Sequence, residues 1–315
     1  MRTEEIHGIA TALGSTVVAT APLAGGYSHS TWLVTLTDGK VVARLGGPDP
    51  MLEAAVMRVA RRYAPVPQVL LVVPPGTFSD GARPAMVIEH VAGTPLSQVL
   101  AASDSGGSGM GELGTEVGRV VAGISSARFD RPGFFTDEQL IVQDEHPWSA
   151  QLPEFAAACM GGTADARLDR ATKQAWVDLC AVHAPALVEV DHHSRLVHSD
   201  INPKNILVSP ASGGWRVDAV LDWEFSYSGC PYGDAANMAR FGADYPARFL
   251  DGFRTAFAEH QPADLAVPEE WGYLGRVLDM FALSDLVTRP LGHPVADQAA
   301  EQIRHWIAAG VPRTV

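Results

Sequence analysis

The stretch that decides the fold is LVHSDINPKNILV, which runs from Leu196 to Val208. It places a polar loop between two short apolar segments, and this pattern predicts a strand, a loop and a second strand. A run of turn-forming residues follows from Ser209 to Gly214, and an extended segment from Trp215 to Leu221 then leads into Asp222. We therefore expect the second and third apolar segments to pair as an antiparallel hairpin.

Three oxygen-bearing side chains converge on the open end of this predicted hairpin. Asn205 and Asp222 flank its two strands, and Asp200 lies in the loop just before them. Carboxylate and amide oxygens are hard ligands suited to magnesium, which takes the rest of its shell from water and phosphates. One carboxylate can stay off the metal and accept a proton from a hydroxyl nucleophile. The stretch therefore indicates a site for magnesium and phosphates.

Composition excludes several classes of protein. The chain has 315 residues, a formal charge of −13 and only three cysteines, which are widely spaced. This length supplies ample material for a core, and the cysteines favour a reducing compartment, which we interpret as the cytoplasm. No apolar run approaches the roughly 18 residues of a membrane span. The negative charge disfavours nucleic acid and favours cationic or neutral partners.

The pattern of hydrophobic residues divides the chain into two parts. The first part predicts a small antiparallel sheet with one helix, which the spacing of Leu52, Val56 and Val59 indicates. After a polar run at 101–109, most of the chain has helical periodicity. The expected strands of the first part are 17–18, 32–36, 41–45, 69–73 and 86–91.

The order of residues in the central stretch is similar to that of a known family. His198-x-Asp200-x-x-x-x-Asn205, followed by Asp222, resembles the catalytic and metal-binding loops of kinase-like phosphotransferases. The continuation through Trp223-Glu224 and the PYGDAA run resembles the aminoglycoside phosphotransferase and choline kinase family. The resemblance implies an α+β, bilobal protein-kinase-like fold. Its nucleotide-binding, β-rich lobe would span residues 1–92, and its helical lobe, with the catalytic loop, would span residues 93–315.

The resemblance also implies a role for each polar residue of the motif. Asp200 would be the catalytic carboxylate that orients and deprotonates the acceptor hydroxyl, and Asn205 and Asp222 would bind Mg²⁺. His198 would brace the loop through hydrogen bonds, and Asp234 would anchor it from below. A turn-capping role is the structural alternative for Asp200.

The same family needs a set of residues that bind ATP or GTP. A glycine-containing loop between the first two strands would cover the phosphates, although it matches neither standard phosphate-loop template. Arg44 would grip the phosphates, and Glu53 on the following helix would pair with it. The adenine or guanine base of the nucleotide would contact the backbone of the hinge between the two lobes. The nucleotide-binding residues implied in this way are Gly25, Gly26, Ser28, His29, Arg44, Glu53, Glu89, Val91 and Lys204.

The acceptor is expected to bind in the helical part, where acidic residues accumulate. Six acidic residues and no Lys or Arg occur between Pro132 and Ala166, and an anionic cleft concentrates cationic substrates. Aminoglycosides and basic peptide antibiotics of the tuberactinomycin type fit this charge, with an aromatic ring stacking on the acceptor. The expected acceptor-binding residues are Asp144, Glu145, Trp148 and Glu224, the last of which could instead touch a second metal.

The sequence therefore predicts an ATP- or GTP-dependent O-phosphotransferase that uses magnesium and inactivates a cationic antibiotic, acting as a monomer or homodimer without nucleic acid or membrane partners. A kinase of a choline-like alcohol, an amine or a sugar is the alternative enzyme. A non-catalytic kinase-like binding protein is the alternative from another class. A metal-dependent hydrolase is a further alternative, which lacks a supporting zinc motif. It is suggested by a cluster of possible zinc ligands: Asp191, His192, His193, His198 and Asp200.

Overall fold

The computed structural model describes residues 3–23, 29–47, 50–78, 82–102, 109–162 and 167–315. Two short 3₁₀ helices, Ala184–Glu189 and Gly242–Asp244, interrupt the helical part. The α-helices are α1 (Thr3–Ala12), α2 (Pro50–Ala60), α3 (Leu96–Ala102), α4 (Met110–Ile124), α5 (Trp148–Gly161), α6 (Arg170–His183), α7 (Tyr232–Ala239), α8 (Ala247–Glu259), α9 (Trp271–Leu286) and α10 (Pro294–Ala309). The strands are β1 (Val17–Pro22), β2 (Ser30–Leu36), β3 (Gly39–Leu45), β4 (Val69–Val73), β5 (Ala85–Glu89), β6 (Thr94–Pro95), β7 (Arg195–Val197), β8 (Ile206–Ala211), β9 (Gly214–Val220) and β10 (Tyr227–Gly229).

Five strands of the N-terminal part form one antiparallel sheet in the order β1-β2-β3-β5-β4. Alternate residues of β5 join different clusters: Val87 packs with Ile9 of α1, whereas Met86 and Ile88 join the larger core with α2. This alternation follows from the two-residue period of a strand. The sheet is therefore covered by a helix on each face, and Arg44 of β3 meets Glu53 of α2 on the face that α2 covers.

Two smaller sheets support the central stretch of the sequence. β8 and β9 form the expected hairpin, with Ile206 opposite Val220, and β6 adds a third strand. β7 pairs separately with β10, so that Val197 lies opposite Tyr227. The polar loop of residues 198–205 thus leaves one sheet and enters another, and both of its ends are fixed by backbone hydrogen bonds.

The helical part contains more helices than the sequence pattern predicts. The expected helices correspond to α4, α6, α8, α9 and α10, whereas the pattern predicts neither α3, α5 and α7 in this part nor α1 in the N-terminal part. Buried positions of α5 follow a spacing of four residues, yet Pro153 interrupts the sequence signal. Every residue of α7 is buried, and a helix that is buried on all sides has no amphipathic pattern to find.

α4 and α8 pack at unusually close range because glycines line their contact. A β-carbon on Gly114 would lie 2.0 Å from the carbonyl oxygen of Phe249, and one on Gly252 would lie 2.2 Å from that of Gly111. The aromatic side chains of α8 fill the core beside this contact. The molecule has the predicted α+β class. No described helix combines the length and the apolar character that crossing a membrane requires.

Candidate active site

The loop of residues 198–205 is closed against the β8–β9 hairpin. The backbone N–H of Leu221 donates to the carbonyl of Asn205 at 2.8 Å, directly beyond the last strand pair. Asn205 and Asp222 therefore lie next to each other at the open end of the hairpin, as the sequence pattern predicts. Asp222 has a φ of 67°, a left-handed conformation that few residues other than glycine adopt and that is often found at functional sites.

The carboxylate of Asp200 is held by two amide side chains. Nδ2 of Asn202 donates to Oδ1 at 3.1 Å, and Nδ2 of Asn205 donates to Oδ2 at 2.9 Å. Burial raises the pKa of Asp200, and the charge of Arg240 and the two amides oppose that rise. Because a higher pKa makes a carboxylate a better proton acceptor, this environment suits a general base. Both oxygens keep a further lone pair for a substrate hydroxyl.

His198 connects the loop to the hairpin. Its Nε2 lies 2.9 Å from the carbonyl of Leu221, and its Nδ1 lies 3.2 Å from the backbone N–H of Asp200. We assign the proton to Nε2, because only that tautomer satisfies both contacts. Burial lowers the pKa of His198 to about 4, so the ring stays neutral at physiological pH. Its surroundings fit a bracing role.

Asp234, which lies on α7, binds the first residues of the same loop. Its two carboxylate oxygens accept the backbone N–H groups of His198, at 2.9 Å, and Ser199, at 2.8 Å. Ser199 has a φ of 71°, so these contacts hold a strained backbone in place. Complete burial raises the pKa of Asp234 to about 7 against the two N–H donors, and the charge of Asp200 adds to the rise.

Arg44 on β3 links the two parts of the molecule. One guanidinium nitrogen pairs with Glu53 on α2, and Nη2 lies 2.6 Å from Oδ1 of Asp222. The backbone N–H of Trp223 also donates to Glu53 at 3.2 Å. Burial disfavours the charge on Arg44, but Glu53 and Asp222 outweigh it and raise the arginine pKa. A permanently charged arginine therefore points at the predicted metal site.

His29 and Glu224 complete the surroundings of this arginine. Nδ1 of His29 lies 3.1 Å from Nη2 of Arg44 and 3.6 Å from Oε2 of Glu224. Burial and the positive charge of Arg44 lower the pKa of His29 to about 4, and Asp222 opposes this. Of the other residues of the glycine-containing loop that the sequence singles out, Gly25, Gly26 and Ser28 lie outside the described residues.

The remaining nucleotide-binding candidates lie along the cleft. Glu89 ends β5, opposite Val41, and its carboxylate accepts the backbone N–H of Gln68 at 3.1 Å. Val91 follows in the half-buried connection to β6. Lys204 is exposed within the catalytic loop. Binding of the nucleotide's base at the hinge and of its phosphates near the loop stays a prediction.

Comparison of the sequence with models of known protein families identifies the family of the chain. Residues 19–271 match the phosphotransferase enzyme family known as APH. The chain belongs to this phosphotransferase family. It is accordingly an enzyme that transfers phosphate to a small-molecule hydroxyl group.

Solved structures show the same fold at low sequence identity. The aminoglycoside phosphotransferase APH(4)-Ia is 17% identical with a TM-score of 0.71, and the alignment covers 98% of this chain and 99% of that one. A thermostable mutant of that enzyme, in a ternary complex with ADP and hygromycin B, is 18% identical with a TM-score of 0.68, covering 99% and 100%. The GDP and kanamycin complex of APH(2″)-IIIa is 14% identical with a TM-score of 0.64, covering 93% and 94%. No curated protein matches the chain significantly.

The donors of this phosphotransferase fit magnesium. Asn205 uses Nδ2 twice, toward the carbonyl and the carboxylate of Asp200, and no hydrogen bond within the described ranges uses its Oδ1. Asp222 binds Arg44 through Oδ1, and no hydrogen bond to another described residue uses its Oδ2. Two hard oxygen donors at one end of a hairpin suit an ion that completes its shell with water and phosphate. When bound there, magnesium would neutralise phosphate charge.

The predicted acceptor residues do not form one cluster in the phosphotransferase. Trp148 begins α5 and is only 6% exposed, packed among other aromatic rings. Glu145 is half-buried and lines a small cavity with Trp148. Asp144 points outward and pairs with Arg131 at 3.4 Å. Glu224 lies instead beside His29, toward the phosphate side of the site.

Some residues around the site carry signals that the motif analysis did not use. Asn202 holds Asp200, and it stands within the central stretch itself. Arg240 at the end of α7 is buried, forms a bidentate pair with Asp279, and places its charge near Asp200. The sequence gives only a weak signal for Arg240, which is a single cation after a run of small residues. Its partner, Asp279, is 39 residues away in the chain, so sequence spacing does not reveal the pair.

Proposed function

We propose that this chain transfers the γ-phosphate of ATP or GTP to a hydroxyl group of a cationic small molecule, most simply an aminoglycoside or a tuberactinomycin-type antibiotic. The transfer would inactivate the antibiotic and give resistance to it. The enzyme would act in the cytoplasm with Mg²⁺ as cofactor, as a monomer or homodimer.

One observation carries the proposal, namely a series of contacts that starts at Asp200. Asn205 fixes the carboxylate of Asp200, and the residue opposite Asn205 across the hairpin, Leu221, directly precedes Asp222. Asp222 in turn meets Arg44 at 2.6 Å. A proton acceptor, two metal-binding oxygens and a phosphate-binding cation thus lie within a chain of direct contacts. Phosphoryl transfer requires mainly positioning and neutralisation of charge, which these groups supply.

The residues of the chain would act in sequence during the reaction. Arg44 would exchange Asp222 for phosphate oxygens, which it can bind in a bidentate manner while Glu53 keeps it in place. Asp200 would orient the acceptor hydroxyl and accept its proton as the oxygen attacks the γ-phosphorus in line. The nucleoside diphosphate leaves, and no covalent enzyme intermediate is needed.

The choice of a cationic acceptor rests on two observations. Complexes of similarly folded proteins contain hygromycin B together with ADP, or kanamycin together with GDP. In this chain, residues 132–166 carry six acidic side chains and no Lys or Arg. An electrostatic field of that sign attracts amines. A kinase of choline-like alcohols or sugars is the competing proposal. A screen that includes both classes of acceptor decides between the two proposals.

The test is a mass-shift screen with ATP or GTP and Mg²⁺ over aminoglycosides, tuberactinomycins, choline and small sugars. We expect one compound of the first two groups to gain one phosphate. Asp200→Asn should lower that rate at least a thousandfold with nucleotide affinity retained, because removal of a general base and its alignment is costly. Asp244→Asn, at an exposed position, is the matched control. Equal transfer by Asp200→Asn and wild type would disprove the mechanism, and phosphorylation of choline or sugars alone would disprove the acceptor class.

A further inference from the structure

His29 directly precedes β2, and the register of the sheet brings it beside Arg44. Thr31 of β2 lies opposite Arg44 of β3, and Ser30 lies opposite Leu45. Residues two apart on a strand share a face of the sheet, and so do residues that lie directly opposite each other. His29 and Arg44 therefore project from the same face of the sheet as diagonal neighbours.

The contact between these two side chains fixes the tautomer of His29. Its Nδ1 lies 3.1 Å from Nη2 of Arg44, and a guanidinium group can only donate hydrogen bonds. Nδ1 is therefore the acceptor, and we assign the proton to Nε2. The ring is well packed, with only 7% of the side chain exposed. His29 thus meets Arg44 as a neutral acceptor rather than as a second cation.

Three protein groups hold the guanidinium group of Arg44, and they come from both parts of the molecule. Glu53 accepts from Nη1, His29 accepts from Nη2, and Asp222 also accepts from Nη2, at 2.6 Å. Glu53 and His29 belong to the N-terminal part, whereas Asp222 belongs to the helical part. The proposed exchange of Asp222 for phosphate oxygens therefore leaves two contacts in place, one on each terminal nitrogen.

The second of these retained contacts limits how the guanidinium group can move. With Glu53 alone, the group could rotate about a single contact as it turns from Asp222 toward the phosphates. An acceptor on the other terminal nitrogen restricts that rotation. Because a guanidinium group is planar, its orientation decides whether two of its donors reach phosphate oxygens together. A donor group that is held before its ligand arrives also loses little conformational entropy on binding.

Gly47 leaves the space that the histidine ring occupies. A β-carbon on Gly47 would lie 2.3 Å from Nε2 of His29, so any side chain there would displace the ring. The preceding Gly46 has nearly the same backbone conformation, with a φ of 81° against 82°. A β-carbon on Gly46 would lie 3.7 Å from Cδ of Arg83, which is an ordinary contact. The two glycines therefore share one backbone requirement, and Gly47 alone leaves room for His29.

We infer that His29 is a positioning residue for the nucleotide. Its Nδ1 and the carboxylate of Glu53 hold the guanidinium group of Arg44 at both terminal nitrogens. These two contacts limit its rotation while phosphate oxygens replace Asp222. His29 thus raises the affinity for phosphates by acting through Arg44. The inference rests on the proposed function, because it takes a nucleotide phosphate as the group that replaces Asp222.

The test separates phosphate binding from binding of the rest of the nucleotide. Isothermal titration calorimetry with the full chain and Mg²⁺ gives the dissociation constants of ADP and adenosine, and of GDP and guanosine. The ratio of the nucleoside constant to the diphosphate constant reports the contribution of the phosphates. His29→Leu and His29→Asn have nearly the same shape, but only asparagine has an acceptor oxygen at the position of Nδ1. We expect His29→Leu to lower the ratio about tenfold and His29→Asn to retain most of it.

Gly47→Ala and its matched control Gly46→Ala test the same contact without a change at His29. Both place a side chain at a positive φ and lose stability for that reason, but only Gly47→Ala displaces the ring and should lower the ratio. Thermal unfolding establishes that each variant is folded, and the two His29 variants decide the test if Gly47→Ala is not. An unchanged ratio in His29→Leu, or equal ratios in the two glycine variants, would overturn the inference. Equal losses in His29→Leu and His29→Asn would overturn it in favour of a direct contact between His29 and a phosphate.

The binding assay needs neither an acceptor nor turnover, so it separates this inference from the proposed function. A ratio that depends on His29, together with no phosphorylated compound in the screen, would refute the function and keep the inference. Phosphate transfer that depends on Asp200, with the wild-type ratio in His29→Leu, would refute the inference alone. Equal affinities of the wild type for nucleosides and their diphosphates would refute the phosphate site and both proposals with it.

Discussion

Arg44 and Asp222 are 178 residues apart in the chain, and Nη2 of the first lies 2.6 Å from Oδ1 of the second. The pair joins the five-stranded sheet to the end of the β8–β9 hairpin. In this state the arginine occupies Oδ1 of Asp222 and leaves Oδ2 for the proposed magnesium ion. Nucleotide phosphates therefore have to compete with an internal ion pair for the guanidinium group, and the side chain of Arg44 has to turn toward them.

Substitution of Arg44 by lysine tests this exchange. Lysine keeps the charge beside Glu53, so the protein should fold, but it cannot hold two phosphate oxygens at once. We expect the KM for nucleotide to rise about tenfold, in keeping with one lost charge-assisted hydrogen bond of about 1.5 kcal/mol. Steady-state kinetics at saturating acceptor measure the change. Arg62→Lys, in the exposed turn that follows α2, should leave KM as it is. An unchanged KM in Arg44→Lys would contradict the proposed phosphate contact.

Replacement of Asn205 by alanine tests the magnesium site. The change removes an oxygen donor, so the Mg²⁺ concentration for half-maximal activity should rise about tenfold or more. Asn202→Ala is the matched control, because it also removes an amide from Asp200 but no proposed metal ligand. That variant should lower kcat and leave the Mg²⁺ requirement unchanged. The same Mg²⁺ requirement in both variants would exclude Asn205 as a ligand.

Asp234 gives a prediction for the dependence of stability on pH. Its pKa of about 7 in the folded protein exceeds the ordinary 3.8, mainly because of burial. Between these values the folded protein holds a proton that the unfolded chain has released, so this group's contribution to stability falls as pH rises from about 4 to about 7. The contribution is constant above that range.

Urea unfolding of wild type and Asp234→Asn at pH 5, 6 and 7.5 measures this effect. The difference in free energy of unfolding, wild type minus variant, should decrease as the pH rises, since asparagine does not titrate. The variant should also be less active at every pH, because its Nδ2 cannot accept the backbone N–H that one carboxylate oxygen now accepts. A difference that stays constant from pH 5 to 7.5 would show that Asp234 is charged throughout this range and would contradict the raised pKa.

The α4–α8 contact gives a prediction for stability alone. In Gly114→Ala the new methyl group would overlap the carbonyl of Phe249, so the helices must separate, and we expect a loss of about 1–3 kcal/mol or more. Gly161→Ala is the opposite case, because no atom lies within 4 Å of the added carbon at the end of α5. It should gain up to about 1 kcal/mol. Urea denaturation compares the two, and similar stabilities would contradict the close packing.

The sequence predicts the region from His198 to Asp222 well because its geometry is local. A short hairpin fixes the positions of Asn205 and Asp222, and the spacing within the loop fixes Asp200. Contacts between distant segments are different. Neither the ion pair of Arg44 with Asp222 nor the position of Glu224 beside His29 follows from periodicity, since each depends on how the sheet packs against the helical part.

The acceptor region was the least predictable part for a related reason. Trp148 could be identified as an aromatic residue in an acidic segment, but whether its ring is free or packed depends on Tyr227 and Phe134, which come from other elements. Charge in a sequence likewise does not reveal its partners, as the pairing of Asp144 with Arg131 illustrates. Packing, rather than composition, decides which side chains meet a ligand.

The β8–β9 hairpin has a consequence for turnover. Asn205 and Asp222 belong to one hydrogen-bonded unit, so their spacing stays the same when the sheet rotates relative to the helical part. The distance from Arg44 to that unit does change with such a rotation. An opening of the cleft would therefore weaken the proposed contact of Arg44 with the nucleotide and leave the arrangement of the two proposed metal-binding residues unchanged, so that nucleotide exchange would be separate from metal coordination.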